Sequence, residues 1–153
     1  MPFQFPTKPE PAPQPRGVEA HLKTLRAPVA DLARQLLTSS PVPLTIVQSF
    51  RSSAEQARLY AQGRTTPGAI VTNAKPGSSY HEYGLAFDVA ILQDGKPTWP
   101  NDVPLWTRIG EQGEALGLVW GGRFPGLKDY GHFELRMPGI GPGQSQPPGA
   151  PVA

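Results

Sequence analysis

The segment 85–91 alternates large apolar and smaller residues, which is the pattern of a strand with one buried face. Asp88 lies on the other face of this strand, between Ala86 and Ala90. A carboxylate on an apolar strand requires a partner for its charge. His81 precedes the strand by a short loop and can fold back toward Asp88, so the pair has the arrangement of a metal site. The alternative is a strand aspartate bonded to backbone amides, with His81 on the surface.

The distribution of proline and glycine divides the chain into three parts. Of the 153 residues, 20 are proline and 17 are glycine. Residues 1–16 are predicted to form a proline-rich arm with little regular structure, residues 17–136 a single domain, and residues 137–153 a disordered tail. A chain of this length has room for one core of ordinary size.

The charge and cysteine content limit the possible functions. The formal net charge is +2, but the basic residues form no runs, which argues against a nucleic-acid surface. With no cysteine in the chain, a metal ion would have to be held by histidine, aspartate or glutamate. Residues 1–6 lack the features of a secretory signal, and no apolar run approaches 18 residues. We therefore expect a monomer made in the cytoplasm, with no signal peptide and no membrane insertion.

Both helices and strands are predicted along the chain. Apolar residues at helical spacing over 18–39 predict two helical pieces, because Pro28 suits the first turn of the second piece. Ser52 and Glu55 form a capping-box pattern that begins another helix after a strand at 44–50. A further helix is predicted at 103–116, and further strands are predicted at 85–91, 118–120 and 132–135.

Two of the three histidines occur beside acidic residues at structurally useful positions. His81, Asp88 and His132 would form a zinc site with a fourth position open to water. Asp129, three residues before His132, is placed to act as a general base. His21 is predicted to be a surface or capping histidine, because it has no acidic or histidine partner at a metal-ligand spacing.

Arg51 lies between the end of a predicted strand and the start of a predicted helix. From there a long side chain can reach a site at the end of the sheet, and the planar guanidinium can bind both oxygens of a substrate carboxylate. An ion pair with a surface carboxylate is the alternative.

Several segments resemble conserved motifs of the D-alanyl-D-alanine carboxypeptidase and L-alanyl-D-glutamate peptidase family. The sequence SYHEYGLAFD at 79–88 resembles the family's first metal motif, and DYGHFE at 129–134 resembles the second. Further motifs of the family are matched, in the family's order, by FRS at 50–52, LYAQGRT at 59–65 and WGG at 120–122. The resemblance implies the hedgehog/D,D-peptidase fold, an α+β fold in which helices pack on a small antiparallel sheet.

The resemblance also implies roles for individual residues. It implies one zinc ion per chain held by the three ligands named above, and it makes residues 17–136 a zinc peptidase domain. Asp129 would be the general base. The substrate carboxylate would be bound by Arg51, assisted by Ser79 and Gln56.

Within the family, the block at 63–65 and the aspartate at 129 resemble L-alanyl-D-glutamate endopeptidases, which cleave the peptidoglycan stem peptide. Gly131 stands where related endopeptidases often carry proline. The implied enzyme is a phage endolysin that stays in the host cytoplasm until a holin releases it to the cell wall. The alternatives are a D-alanyl-D-alanine carboxypeptidase and a zinc-containing wall-binding module without catalysis.

Overall fold

An antiparallel sheet built around β2 (Ala86–Gln93) organises the molecule. The computed structural model describes residues 15–144 and 148–149. β2 pairs on one side with β1 (Leu44–Gln48) and on the other with β5 (His132–Glu134). β5 in turn pairs with β4 (Val119–Trp120), and β3 (Lys96–Thr98) pairs with the end of β2. The strand order is therefore β1-β2-β5-β4, with β3 off this path.

The α-helices of the described residues lie before and between these strands. They are α1 (Val18–Leu22), α2 (Ala27–Ser39), α3 (Ser53–Ala61) and α4 (Val103–Ala115). Short 3₁₀ helices at Tyr80–Tyr83 and Gly121–Arg123 precede β2 and follow β4. The α+β class, with a small antiparallel sheet and packed helices, is confirmed. None of the helices in the described part of the chain has the length and hydrophobicity needed to cross a membrane.

The residues predicted to begin, cap or end helices have these roles in the structure. Pro28 lies in the first turn of α2, where its missing N–H costs no helical hydrogen bond. The Ser52 side chain accepts a hydrogen bond from the backbone N of Glu55 at 3.1 Å and caps α3. α4 ends just before Gly117, whose φ of 97° favours glycine.

Close contact with α4 holds the sheet in place. Gly110 faces the indole of Trp120, and Gly113 faces the ring of Phe133. A methyl group at either glycine would overlap the ring, so the close approach of helix and sheet requires glycine at both positions. Because Phe133 is the central residue of β5, this packing also fixes the strand that carries His132.

The packed part of the chain continues past residue 136. Met137 and Ile140 form an antiparallel bridge and pack against the core, although they belong to the segment predicted as a tail. The backbone N of Gly149 donates to the carbonyl oxygen of Glu82 at 2.9 Å. The predicted arm, apart from its last two residues, and the end of the predicted tail lie outside the described residues.

Candidate metal centre

Three side chains able to bind a metal ion converge where β2 meets β5. Asp88 of β2 is the direct partner of His132 of β5 in the strand register. His81 lies in the 3₁₀ helix that ends at Gly84, whose φ of 68° is a conformation that favours glycine. One ligand atom from each of the three side chains lies within 4.8 Å of the others. The structure therefore brings together the three residues that the sequence suggested as ligands.

Each histidine is held through the ring nitrogen that does not face Asp88. Nδ1 of His81 lies 2.7 Å from the backbone oxygen of Ser49. Nε2 of His132 lies 2.8 Å from Oε1 of Glu134. A carbonyl and an ionised carboxylate only accept hydrogen bonds, so both nitrogens donate. Hydrogen bonds of this kind are typical of metal-binding histidines, because they set the tautomer and the orientation of the ring.

The other nitrogens of both histidines face the same carboxylate oxygen. Oδ1 of Asp88 lies 3.2 Å from Nε2 of His81 and 3.0 Å from Nδ1 of His132. Without a cation, each nitrogen can make this contact only as a protonated imidazolium. A divalent cation would replace both protons and leave both rings neutral. Two imidazole nitrogens and a carboxylate oxygen fit zinc, which uses these ligand types and keeps a fourth position open in catalytic sites.

The electrostatics of the cluster favour positive charge. Burial acts to raise the pKa of Asp88, but the charge of His81 and hydrogen bonds from both histidines outweigh it and hold that pKa below its ordinary value. Burial acts to lower the pKa of His132, but its hydrogen bonds to Asp88 and Glu134 raise this pKa to about 10. The site therefore stabilises a cation at the position where the ligand atoms meet.

Asp129 lies at the edge of the cluster. Its side chain is 53% exposed, and its Oδ2 is 4.0 Å from Nδ1 of His132. Partial burial and the charge of Asp88 raise the pKa of the Asp129 carboxyl above its ordinary value. The backbone N of Asp129 donates to the carbonyl oxygen of Gly121 at 3.0 Å, which anchors the loop. Asp129 therefore lies beside the three residues that could hold a metal ion and is not one of them.

Arg51 lies beside the ligands and is mostly buried, with 11% of its side chain exposed. Its Nη2 is 4.0 Å from Oδ2 of Asp88, and its backbone N donates to the carbonyl oxygen of His81 at 3.1 Å. Nη1 donates to Oε1 of Gln56 at 3.0 Å, and Gln56 itself donates to the carbonyl oxygen of Ala74 at 2.7 Å. The fully buried Gln56 therefore lies against Arg51 rather than on a cavity wall.

Comparison with known proteins places this site in a family. A family model described as D-alanyl-D-alanine carboxypeptidase matches residues 72–135. The peptidoglycan L-alanyl-D-glutamate endopeptidase CwlK of Bacillus subtilis is 40% identical over 114 residues, which cover 69% of this chain and 68% of CwlK. The chain belongs to the D-alanyl-D-alanine carboxypeptidase and L-alanyl-D-glutamate peptidase family. Because its members are metal-dependent peptidases, the protein is a metallopeptidase.

Two further relatives agree with this family. The L-alanyl-D-glutamate peptidase of Escherichia phage T5 is 29% identical over 126 residues, covering 79% of this chain and 87% of the phage protein. The crystal structure of the Serratia marcescens L-Ala D-Glu endopeptidase ChiX superposes with a TM-score of 0.60 at 24% identity, covering 80% of this chain and 89% of ChiX. The likeness to ChiX shows that the family fold is present.

A cavity of about 710 Å³ opens over the ligand cluster of this peptidase. Asp129 and Arg51 lie on its walls, and it continues to the loop at 71–74. Ser79 also lines the cavity, and its backbone N donates to Oε2 of Glu82 at 3.0 Å. The predicted base and the predicted arginine therefore face the same space as the ligands.

His21 is buried, so the prediction of a surface or capping histidine is wrong. Only 3% of the residue is exposed, and its Nδ1 lies 2.6 Å from Oγ of Ser49. Burial lowers the pKa of His21, which favours the neutral ring. No pattern in the sequence indicates this contact, because the partner is a serine 28 residues away, just after β1. The carbonyl oxygen of Ser49 accepts a hydrogen bond from His81, so Ser49 contacts both His21 and a proposed metal ligand.

Glu134 holds His132 by a hydrogen bond, a role that the sequence reasoning did not assign to it. Burial acts to raise its pKa, but hydrogen bonds and charge from His132 and then Arg136 outweigh this and lower it. The carboxylate is therefore ionised, and Arg136 Nε donates to it at 3.0 Å. The signal for this contact is the spacing of His132 and Glu134, because residues two apart on a strand share one face.

Proposed function

We propose that the protein is a zinc-dependent endopeptidase that hydrolyses the L-alanyl-D-glutamate bond of the peptidoglycan stem peptide. The observation that carries this proposal is the cavity over the ligands, which contains both Arg51, 4.0 Å from Asp88, and the loop at 71–74. In the stem peptide the chain continues through the side chain of D-glutamate, so the α-carboxylate of that residue stays free beside the scissile bond. Two relatives described as L-alanyl-D-glutamate peptidases support the same substrate.

The shape of the cavity favours an endopeptidase over a carboxypeptidase. Arg51 alone fits either enzyme, because D-alanyl-D-alanine also ends in a free carboxylate on the residue after its scissile bond. A carboxypeptidase needs room for only that residue. Here the cavity continues beyond Arg51 to residues 71–74, which leaves space for the rest of a stem peptide.

Each residue of the site has a defined task in this reaction. His81, Asp88 and His132 would hold one zinc ion, which when bound polarises water and the substrate carbonyl. Asp129 takes a proton from the attacking water and returns it to the amine of D-glutamate as the C–N bond breaks. Arg51 binds the α-carboxylate and orients the peptide, and Ser79 assists from the cavity wall.

A role in phage lysis accompanies this activity. The relative from Escherichia phage T5 supports it, although the Bacillus subtilis relative shows that phages are not the only source of similar proteins. In this role the enzyme waits in the host cytoplasm, and a holin releases it to the cell wall. Expression in a bacterial host is then expected to cause lysis only when a holin is expressed with it.

A synthetic stem pentapeptide, L-Ala-γ-D-Glu-L-Lys-D-Ala-D-Ala, tests the proposed bond. The expected products are free L-alanine and a tetrapeptide beginning with D-glutamate, whereas release of D-alanine would assign a carboxypeptidase. A matched peptide with the α-carboxylate of D-glutamate converted to an amide tests the role of Arg51. Because charge-assisted hydrogen bonds are lost, we expect kcat/KM to fall about 10- to 100-fold.

A further inference from the structure

A second cavity, of about 560 Å³, adjoins the one above the metal ligands. The two cavities share Gln48, Asp88 and Asp129, so both reach the reacting centre. Arg51 lines only the larger cavity, and Trp99 lines only the smaller one. A substrate bound at the centre can therefore extend into two spaces of different chemistry.

Trp99 is unusually exposed for a residue of its size. It is 62% exposed, compared with 43–49% for the other exposed large hydrophobic residues of the described chain. Its backbone lies in the connection between β3 and α4, which is anchored on both sides. The Thr98 hydroxyl donates to Ile91 O at 2.9 Å, and Trp106 Nε1 donates to Pro100 O at 3.0 Å. A large aromatic ring is thus presented to solvent from an anchored backbone, and tryptophan is a residue type that is enriched at binding interfaces.

The proposed function assigns the two sides of the substrate to the two cavities. Arg51 binds the α-carboxylate of D-glutamate, which lies on the amine side of the scissile bond. The acyl side must then occupy the smaller cavity. On that side L-alanine is the only amino acid, and its nitrogen is joined through a lactyl group to muramic acid. At up to about 3.6 Å per residue, the sugar follows within about 7 Å of the alanine.

We propose that the cavity containing Trp99 binds the N-acetylmuramoyl group that carries the stem peptide, and this inference rests on the proposed function. A pyranose ring has one face of C–H groups that packs on an aromatic ring, while its hydroxyl and acetamido groups require polar partners. Trp99 supplies the ring, and Asn101 and Gln48 supply amides within the same cavity. The enzyme therefore recognises the junction between glycan and peptide, and not the peptide alone.

Two substrates with the same peptide test this inference. One is L-Ala-γ-D-Glu-L-Lys, and the other is the same tripeptide on N-acetylmuramic acid. We expect the wild-type protein to cleave the muramoyl peptide with a kcat/KM about tenfold higher. Trp99→Ala is expected to reduce this ratio to near one, while Trp99→Phe keeps most of it. Ile70→Ala, which truncates an exposed apolar residue outside both cavities, is the control and is expected to leave the ratio unchanged.

The outcomes separate this inference from the proposed function. If the wild type cleaves both substrates at the L-Ala-D-Glu bond but shows no preference, or if Trp99→Ala keeps the preference, the sugar site is wrong and the proposed function stands. If the wild type cleaves neither substrate at that bond, the proposed function is wrong and the sugar site falls with it.

Discussion

The backbone oxygen of Ser49 lies 2.7 Å from Nδ1 of His81. This contact makes Nδ1 the protonated nitrogen of the ring and leaves Nε2 to face Asp88. The hydroxyl of the same serine lies 2.6 Å from Nδ1 of His21. Ser49 therefore links a proposed metal ligand to a buried histidine of α1.

We predict that His21→Leu weakens zinc binding without removing a ligand. Ser49 is fully buried, so its hydroxyl would lose its partner, and the carbonyl that orients His81 would be less well held. The expected loss is about tenfold in zinc affinity, measured by competition with a chromophoric chelator. His21→Asn, which keeps a nitrogen near the position of Nδ1, is the matched variant and is expected to retain most of the affinity. Equal zinc affinity in His21→Leu and wild type would show that this contact is only structural.

The lowered pKa of His21 predicts a dependence of stability on pH. Between the lowered pKa of the folded state and the ordinary value of about 6.5, the unfolded chain binds more protons at this residue. The contribution of neutral His21 to the free energy of unfolding is therefore present above about pH 6.5 and is lost as the pH falls below it. Urea unfolding at several pH values, for wild type and His21→Asn, isolates this contribution. The wild type is expected to lose more stability than His21→Asn between pH 7 and pH 5, and parallel curves would contradict the prediction.

About one zinc ion per chain is expected to co-purify with the protein. His81→Ala removes a ligand and is expected to abolish this stoichiometric zinc. Glu134→Gln keeps all three ligands but replaces the carboxylate that holds His132, so zinc affinity is expected to fall about 10- to 100-fold. Metal analysis of the purified variants provides the measurement. Full zinc occupancy in His81→Ala would exclude the proposed site.

Asp129 and the ligands are expected to respond differently to substitution. Asp129→Ala removes the proposed base but no ligand, so the protein is expected to keep its zinc and to lose at least about a hundredfold in kcat. Zinc content and peptide cleavage measured on the same sample separate the two effects. Activity close to that of the wild type would assign proton transfer to another group.

Contacts between residues that are close in the sequence, or that lie on regular strands, could be predicted from the sequence. The alternation at 85–91 indicated β2 and the face that carries Asp88, and the alternation at 132–135 indicated His132 on a second strand. The structure pairs these two residues directly. The cap at Ser52 was equally visible, because a capping contact spans only three residues.

Contacts set by packing between distant elements could not be predicted. The bond between His21 and Ser49 depends on how α1 lies against the end of β1, and no sequence period encodes that geometry. Ala86 and Ala90 beside Asp88 could be recognised as small, but their complete burial depends on the strands and helices around β2. The exposure of Trp99 could not be predicted either, because an aromatic residue in a loop can equally well pack into the core.

The products of peptidoglycan digestion test the central claim most directly. Purified peptidoglycan is incubated with the zinc-loaded protein, and the new amino termini and released amino acids are identified by chemical labelling and mass spectrometry. With Asp129→Ala as the control, we predict new amino-terminal D-glutamate on the released peptides and no release of D-alanine. Free D-alanine without new D-glutamate termini would contradict the assignment of the L-alanyl-D-glutamate bond.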